Sequence, residues 1–556
     1  MQIALAQVNL HIGNFDYNTS KHIAFILEAA SKGVDLVVFP ELSVCGYPPQ
    51  DLLELPDFIE ACKKSIDAIA RSCKGIMAIV GAPVENPSST GKPLYNAALV
   101  LYEGKIIHTV YKRLLPNYDV FDESRYFEPG VHTTCLAHAG KKIGITICED
   151  LWEFSFQPGT ALPDSRRLYG HAPLHFLQAE NPDFIINISS SPFSYLQSEA
   201  RKIMLRKNAE KYGLPFIYVN QCGAHADLIF DGNSMVCDAK GEILKEGQLF
   251  CESLIIHDFD NPVSEISDAS GDTEKIYAAL VFGIREFFSK MGFTKAILGL
   301  SGGIDSAVTL VLACKALGAE NVLAVMMPSA FSSSHSIEDS KKLIANLGCQ
   351  SETLPIHQVV SALEHTLSDN FMNTSFGLAE ENLQSRARGI LLMGMANKHG
   401  YILLNTTNKS EAAVGYGTLY GDMCGALSVL GDVYKTRVYA LARYINASSH
   451  SIPSSILTKE PSAELRPGQK DSDSLPPYEV LDEILEMHIE KRLPMNQIVK
   501  SGFDHMLVKK IIRMVQASEF KRYQMAPVLR ISAKAFGYGR RMPLVEGFNP
   551  PASSSE

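Results

Sequence analysis

The feature that most constrains this chain is a rhythm in which short apolar runs alternate with amphipathic stretches. The apolar runs are rich in Val and Ile, as expected of strands covered on both faces, and the amphipathic stretches have the period of α-helices. Strands that alternate with helices in this way build layered α/β domains. The rhythm occurs twice, before and after a polar segment at residues 258–272, and 556 residues are enough for several domains.

The polar segment predicts where the two domains join. It carries five acidic residues and no Lys or Arg, and its Pro and Gly suit a linker. The alternative is a surface loop within one domain. We therefore predict a first domain over residues 1–257, a linker over 258–273, a second domain over 274–549 and a tail over 550–556.

Composition argues against several classes of function. The formal net charge is −10, which disfavours a general nucleic-acid or acidic-membrane binder. The best candidate for a membrane span, Ala296–Ala319, is interrupted by Asp305 and Lys315. The 11 cysteines form no Cys-x-x-Cys pair, and none of the 16 histidines has a zinc-type spacing with cysteine. We expect a cytoplasmic enzyme with reduced thiols and without a nucleic-acid partner, a membrane partner or a transition metal.

In the second half, the segment Leu298-Gly-Leu-Ser-Gly-Gly-Ile-Asp-Ser306 lies where an apolar strand ends and a helix begins. Glycines there let backbone N–H groups approach an anion, and a helix N-terminus adds positive potential. The segment is neither a Walker loop nor a dinucleotide fingerprint. A carboxylate beside phosphates suggests a bridging Mg²⁺, so Asp305 points to a metal-bound nucleotide. The alternative is a glycine turn with Asp305 as a helix cap. The strand–helix units that follow predict a parallel, doubly wound sheet.

In the first half, Glu41, Lys112 and Cys148 each end an apolar run. Catalytic groups gather at strand ends in layered α/β folds. A cysteine can attack an amide when a carboxylate takes its proton, and a lysine can stabilise the resulting oxyanion. Taken singly, each residue has a plainer interpretation: a buried thiol is usually a small hydrophobe, and Glu and Lys are usually solvated.

These residues and their neighbours resemble the nitrilase-like amidases. The resemblance rests on Phe39-Pro-Glu-Leu42, Lys112-Arg-Leu-Leu-Pro116 and Ile147-Cys-Glu-Asp-Leu-Trp152, and it covers residues 1–257. It implies an α-β-β-α layered domain. It also implies that Glu41 is the base, Lys112 the oxyanion stabiliser and Cys148 the nucleophile.

The loop Ser301–Ser306 resembles the pyrophosphatase-type loop of ATP enzymes that adenylate a carbonyl oxygen. A nitrilase-like half followed by such a loop resembles the glutamine-dependent NAD synthetases over nearly the whole chain. That resemblance implies an amide-forming ligase that uses ATP, deamido-NAD, L-glutamine and Mg²⁺. It also implies a homo-oligomer in which ammonia passes from one site to the other.

The same resemblance assigns roles to individual residues. The implied glutamine contacts are Tyr118, Ser191 and Gln197, the last at a position where many relatives have lysine. The implied ATP contacts are Gly299, Leu300, Ser301, Gly302, Gly303, Ile304, Asp305, Ser306 and Thr406. The implied deamido-NAD contacts are Asn382, Glu411 and Lys521, and the implied metal ligands are Asp305 and Glu411. Two other hypotheses stay open: an ATP-dependent amidotransferase acting on another carboxylate or carbonyl, and an amide hydrolase with a nucleotide-sensing domain.

Overall fold

The structure is a computed structural model of the chain, and it describes residues 1–131, 134–153, 155–160, 164, 168–170, 172–264 and 271–548. The predicted tail at 550–556 and residues 265–270 of the predicted linker lie outside the described residues. The chain divides into two units, Met1–Ala269 and Ser270–Glu556.

The first unit contains many strands and few helices. Its strands are β1 (Gln2–Gln7), β2 (Leu36–Val38), β3 (Met77–Glu85), β4 (Leu94–Tyr102), β5 (Lys105–Tyr111), β6 (Leu136–His138), β7 (Lys141–Ile147), β8 (Phe184–Ser189), β9 (Phe216–Asn220), β10 (Cys222–His225), β11 (Leu228–Asp231), β12 (Met235–Cys237), β13 (Ile243–Glu246) and β14 (Ser253–Asp258). Its helices are α1 (Phe15–Ser31), α2 (Pro56–Ser72), α3 (Pro173–Gln178) and α4 (Gln197–Tyr212).

Most of these strands form two six-stranded sheets, in the orders β14-β1-β2-β3-β4-β5 and β13-β12-β9-β8-β7-β6, and β10 pairs with β11. The central pairs β1–β2, β2–β3, β7–β8 and β8–β9 are parallel, and the outer pairs are antiparallel. Apolar runs at residues 3–10, 34–39, 76–82, 97–102, 143–148, 184–189 and 216–220 predict seven strands, and these correspond to β1, β2, β3, β4, β7, β8 and β9. The sequence did not indicate the other strands. Several of the missed strands lie at sheet edges or are short and partly polar, so their pairing decides their structure.

The alternation of side chains along each strand creates the layers. In β1, Ala4 belongs to a core shared with Ile26 of α1 and Ile69 of α2, whereas Ile3 belongs to a core shared with Ile186 of the other sheet. On the opposite face of that second sheet, Ile185 packs in a core with Met204 and Leu205 of α4. The order helix, sheet, sheet, helix confirms the predicted α-β-β-α fold.

The second unit is built on one parallel sheet. Its strands are β15 (Ala296–Gly299), β16 (Val322–Met326), β17 (Gln350–Thr353), β18 (Ile402–Asn405) and β19 (Leu427–Ser428). Its helices are α5 (Asp272–Met291), α6 (Ile304–Leu317), α7 (Ser334–Leu347), α8 (His357–Leu367), α9 (Leu378–His399), α10 (Lys409–Val414), α11 (Lys435–Ser449), α12 (Ser454–Thr458), α13 (Tyr478–Leu485), α14 (Met495–Lys500), α15 (His505–Ala517) and α16 (Glu519–Arg522).

The strand order β17-β16-β15-β18-β19, with every pair parallel, confirms the predicted doubly wound sheet. After β15, the strands β16 and β17 are added on one side of it, and the later strands β18 and β19 are added on the other side. Ligands in such sheets bind beyond the carboxyl ends of the strands where the order reverses. The reversal therefore places the loops after β15 and β18 side by side. No helix in the described ranges is long and apolar enough to cross a membrane.

Candidate functional site

The first unit gathers its chemistry at strand ends. Glu41 follows β2, Lys112 follows β5 directly, and Cys148 follows β7 directly. Lys112 Nζ lies 2.7 Å from Glu41 Oε1, and both side chains are fully buried. The charges of Glu41 and Lys112 both act on the pKa of the Cys148 thiol. The fold thus brings the three predicted catalytic side chains into one electrostatic cluster.

Several fixed donors hold the Glu41 carboxylate. Asn96 Nδ2 donates to Oε1 at 2.8 Å, and the backbone N–H of Ser190 donates to Oε2 at 3.1 Å. The Ser190 hydroxyl also donates to the backbone carbonyl of Glu41 at 2.9 Å. Sequence reasoning did not find Asn96 or Ser190 as supports of Glu41, since each is an ordinary polar residue in a strand or turn.

Glu123 adds a second carboxylate to this cluster. Its oxygens lie 2.7–2.8 Å from Lys112 Nζ, and the Tyr47 hydroxyl donates to it at 3.0 Å. Burial raises the pKa of Glu123 to about 7, with Lys112 opposing the rise and Glu41 adding to it. One lysine therefore serves two buried carboxylates, and the cluster can hold a proton near neutral pH.

Cys148 occupies a strained turn. Its φ is +43°, where a residue with a Cβ pays about 1–3 kcal/mol, and it opens a 3₁₀ turn at the end of β7. Burial raises the pKa of this thiol, Glu41 raises it further, and Lys112 opposes the rise. A thiol in this state needs a base to take its proton as it attacks, and Glu41 is placed in the same cluster.

Glu149 forms a further buried acidic site beside the nucleophile. The hydroxyls of Tyr118 and Tyr169 each donate to Glu149 Oε1 at 2.9 Å. Burial raises the pKa of Glu149 to about 7 despite the opposing effects of Lys112 and the two hydroxyls. Of these three residues, the sequence singled out only Tyr118. Glu149 follows Cys148 directly in the chain, and that adjacency was the one signal that could have identified it.

The two remaining glutamine candidates differ in position. Ser191 is buried in the turn after β8, beside Ser190, and its N–H donates to Asn220 Oδ1 at 2.9 Å. Gln197 is the first residue of α4, where its backbone carbonyl accepts from Arg201 Nε at 3.4 Å. The fold places Ser191 next to a residue that contacts Glu41, and it places Gln197 at a helix start.

In the second unit, the glycine loop after β15 leads into α6. The hydroxyls of Ser301 and Ser306 lie 3.2 Å apart, and Ser306 Oγ donates to the Gly303 carbonyl at 3.0 Å. Gly302 has a φ of +79°, and a Cβ there would lie 2.5 Å from the Ser336 carbonyl oxygen. Residues 299–306 and Thr406 line a cavity of about 270 Å³.

An ion cluster lies at the wall of this cavity. Lys435 Nζ lies 2.5 Å from Asp305 Oδ2 and 3.3 Å from Glu411 Oε1. Asn408 Nδ2 donates to Asp305 Oδ1 at 2.9 Å. Burial raises the pKa of Glu411 to about 8; Lys435 opposes the rise, and Asp305 adds to it. The loops after β15 and β18 therefore share one charged site.

Asn382 and Lys521 contact a loop next to the cavity but do not line it. The Thr418 hydroxyl donates to Asn382 Oδ1 at 2.6 Å, and Lys521 Nζ donates to the carbonyls of Gly415 and Gly417 at 2.7 Å each. Tyr416 of the same loop lines the cavity. Both predicted dinucleotide contacts therefore form hydrogen bonds with the loop at residues 415–418.

Lys459, Glu464 and Asp471 line the cavity. Glu464 and Asp471 belong to the segment at residues 463–478, which resembles a loop that closes over the reacting groups. Glu464 accepts hydrogen bonds from the hydroxyls of Ser333 and Ser336, at 3.0 and 2.9 Å. These bonds attach the segment to the first turn of α7.

Two of the carboxylates that line the cavity, those of Asp305 and Glu411, are candidates to bind a metal ion. Among the described residues, no group of three or more His, Cys, Asp or Glu side chains could hold a metal. Asp305 and Glu411 do offer two carboxylates at one wall, and a phosphate-bound Mg²⁺ commonly takes one or two from the protein. Their donor set therefore fits Mg²⁺ bound together with phosphates.

Two family models match the chain. The model described as carbon-nitrogen hydrolase matches residues 2–157 and 166–266, and the model described as NAD synthase matches residues 276–525.

Relatives and a solved structure match nearly the whole length of this chain. A glutamine-dependent NAD(+) synthetase of Synechocystis sp. is 44% identical over 99% of this chain and 100% of its own. One from Acinetobacter baylyi is 40% identical over 99% of each. The solved structure of the Acinetobacter baumannii enzyme in complex with ADP has a TM-score of 0.77 and 40% identity, and the match covers 99% of both chains.

Proposed function

Since this chain belongs to the glutamine-dependent NAD(+) synthetases, we propose that it converts deamido-NAD, ATP, L-glutamine and water to NAD, AMP, diphosphate and L-glutamate. The observation that carries the proposal is the presence, in one chain, of a buried Glu–Lys–Cys cluster and a glycine-loop cavity with an ion cluster at its wall. One site liberates nitrogen from an amide, and the other activates a carboxylate to receive it.

At the first site, Cys148 Sγ attacks the side-chain amide carbon of glutamine while Glu41 takes the thiol proton. Lys112 Nζ stabilises the negative oxygen of the tetrahedral intermediate. Collapse of the intermediate gives a thioester, and the proton held by Glu41 goes to the departing ammonia. Water deprotonated by Glu41 then attacks the thioester, which frees L-glutamate and restores the thiol.

At the second site, residues 299–306 bind the phosphates of ATP through backbone N–H groups and the hydroxyls of Ser301 and Ser306. The nicotinate carboxylate of deamido-NAD attacks the α-phosphorus, and diphosphate leaves. Lys435 offsets the charge of the departing diphosphate. Asp305 and Glu411 would hold Mg²⁺, which supplies further charge neutralisation when bound. Ammonia then attacks the adenylated carbonyl carbon, AMP leaves with the carbonyl–oxygen bond broken, and the nitrogen releases one proton to give the amide of NAD.

We also propose that residues 1–257 form the glutamine amidohydrolase domain and residues 274–549 the synthetase domain. Tyr118, Ser191 and Gln197 are the proposed glutamine contacts, and Asn382, Glu411 and Lys521 the proposed deamido-NAD contacts. We propose a cytoplasmic homo-oligomer that passes ammonia between its sites. Light scattering would measure the oligomeric state.

The division of labour is tested with Cys148→Ala and a matched control, Cys251→Ala, in which a half-buried cysteine of the same unit is removed. We expect Cys148→Ala to lose NAD formation from glutamine and to keep it with ammonium salts. The control keeps both activities. With ¹⁵N in the glutamine side-chain amide, the wild-type enzyme should place the label in nicotinamide. Equal loss of both activities in Cys148→Ala, or unlabelled NAD, contradicts the proposal.

A further inference from the structure

The start of α11 carries the lysine of the ion cluster but lacks a cap of its own. Lys435 is the first residue of α11, and the side chain of the preceding Tyr434 makes no capping hydrogen bond. The first backbone N–H groups of a helix have no partner within the helix. Because this helix start is buried, its N–H groups need acceptors from elsewhere in the fold.

Ser410 and Asp482 supply those acceptors. The backbone N–H of Lys435 donates to Ser410 Oγ at 2.9 Å, and that of Thr436 donates to Asp482 Oδ2 at 2.8 Å. The Ser410 hydroxyl donates in turn to Asp482 Oδ1 at 2.5 Å. One carboxylate on α13 thus caps α11 and also fixes a hydroxyl on α10.

This arrangement links two of the three helices that supply the ion cluster, α10 and α11, while α6 supplies Asp305. Glu411 follows Ser410 directly on α10, and Lys435 begins α11. The distances from Lys435 Nζ to Glu411 and Asp305 therefore depend on how the two helices are held together. Asp482 itself is 5% exposed and lies outside the lining of the cavity, so it acts on the site through Ser410 and Thr436.

We propose that Asp482 is a positioning residue of the ATP site, which with Ser410 locks α11 to α10 so that Lys435 and Glu411 meet Asp305. The inference rests on the proposed function, because it takes these three charged groups as the ones that act on Mg²⁺ and the phosphates of ATP. Hydrogen bonds to an ionised carboxylate are shorter and stronger than those between neutral groups, so a carboxylate that accepts from a hydroxyl on one helix and a backbone N–H on another can fix their relative position.

The test measures NAD formation from deamido-NAD, ATP and ammonium for Asp482→Ala, Ser410→Ala and the double variant, together with their thermal unfolding. The matched control is Asp504→Ala. Asp504 is an exposed aspartate that caps α15 by accepting from the Leu507 N–H at 2.8 Å. The Asp504→Ala variant therefore removes an aspartate that caps a helix, as Asp482 does, but at a helix outside the ion cluster.

We expect Asp482→Ala and Ser410→Ala each to raise the KM for ATP, with a loss in kcat/KM of about tenfold to hundredfold. A smaller folded fraction lowers kcat and leaves every KM as it was, so the KM for ATP separates positioning from general damage. The loss in the double variant should be smaller than the product of the two single losses, because both changes break the hydrogen bond between Ser410 and Asp482. Asp482→Asn, which keeps one acceptor oxygen, should recover part of the loss.

Three results would overturn the inference: an unchanged KM for ATP in both single variants, effects that multiply in the double variant, or an equal rise in the KM for ATP in Asp504→Ala. If Asp482→Ala does not fold, the KM for ATP of Ser410→Ala and Asp482→Asn decides the question in the same way. A wild-type enzyme that forms no NAD from deamido-NAD, ATP and ammonium would instead refute the proposed function.

Discussion

The replacement of Gly302 by alanine tests whether the loop after β15 must keep its backbone path. The φ of Gly302 is +79°, in the left-handed region, where a side chain costs about 1–2 kcal/mol. The new Cβ would also lie 2.5 Å from the Ser336 carbonyl oxygen and 2.8 Å from Ser336 Cα. Both atoms belong to the backbone at the start of α7, so they cannot turn aside as the end of a side chain could. We therefore expect the loop or the helix start to move by about 1 Å.

That movement should be costly for catalysis. A misplacement of about 1 Å near reacting groups can lower a rate by about a hundredfold, because the loop N–H groups no longer meet the phosphate oxygens. We expect Gly302→Ala to lower kcat/KM for ATP by between tenfold and about a hundredfold. The assay is AMP formation from ATP and deamido-NAD with ammonium as the nitrogen source, so that glutamine hydrolysis does not enter the measurement.

Gly292→Ala is the matched control. Gly292 ends α5 with a φ of +73°, and a Cβ there would meet no atom within 4 Å. In Gly292→Ala the alanine is strained by its positive φ, but its Cβ meets no neighbouring atom. We therefore expect a lower Tm and a kcat/KM for ATP within about twofold of wild type. The reasoning is refuted if Gly302→Ala keeps wild-type kcat/KM, or if the two variants lose the same fraction of it.

The remaining predictions concern buried charges. Lys112→Met leaves Glu41 and Glu123 buried without their cation, so we expect calorimetry to show a loss of about 3–5 kcal/mol and glutamine hydrolysis to disappear. Glu149→Gln removes a carboxyl whose pKa is raised to about 7, which means that the folded protein binds this proton more tightly than the unfolded chain. Relative to the variant, wild type should therefore lose up to about 3 kcal/mol of stability as the pH rises from 5 to 8, and equal Tm differences at both pH values would contradict this. Glu411→Gln should raise the Mg²⁺ concentration needed for half-maximal ammonium-driven synthesis by about tenfold or more; an unchanged magnesium titration would count against Glu411 as a ligand.

Local patterns were sufficient for much of the fold. The strand before residues 299–306 and the helix after them follow from apolar periodicity and glycine content, which act over a few neighbouring residues. Strands such as β6 and β13 were missed because they are short or partly polar and become strands only when a neighbour pairs with them. The same limit applies past Tyr420, where the sequence predicts no clear order of strands and helices. In that part of the chain α13 and α15 pack with α10, which precedes Tyr420, in a core whose members are far apart in the chain.

The sequence by itself determined the two α/β halves, the glycine loop and the residue types able to act at strand ends. The tertiary structure decided which charges meet, since Glu41 and Lys112 are 71 residues apart and Asp305 and Lys435 are 130 residues apart. It also decided which groups are buried, and burial is what raises the pKa of Glu149. Periodicity and local chemistry act between near neighbours in the chain, whereas strand order and burial arise from contacts between distant segments.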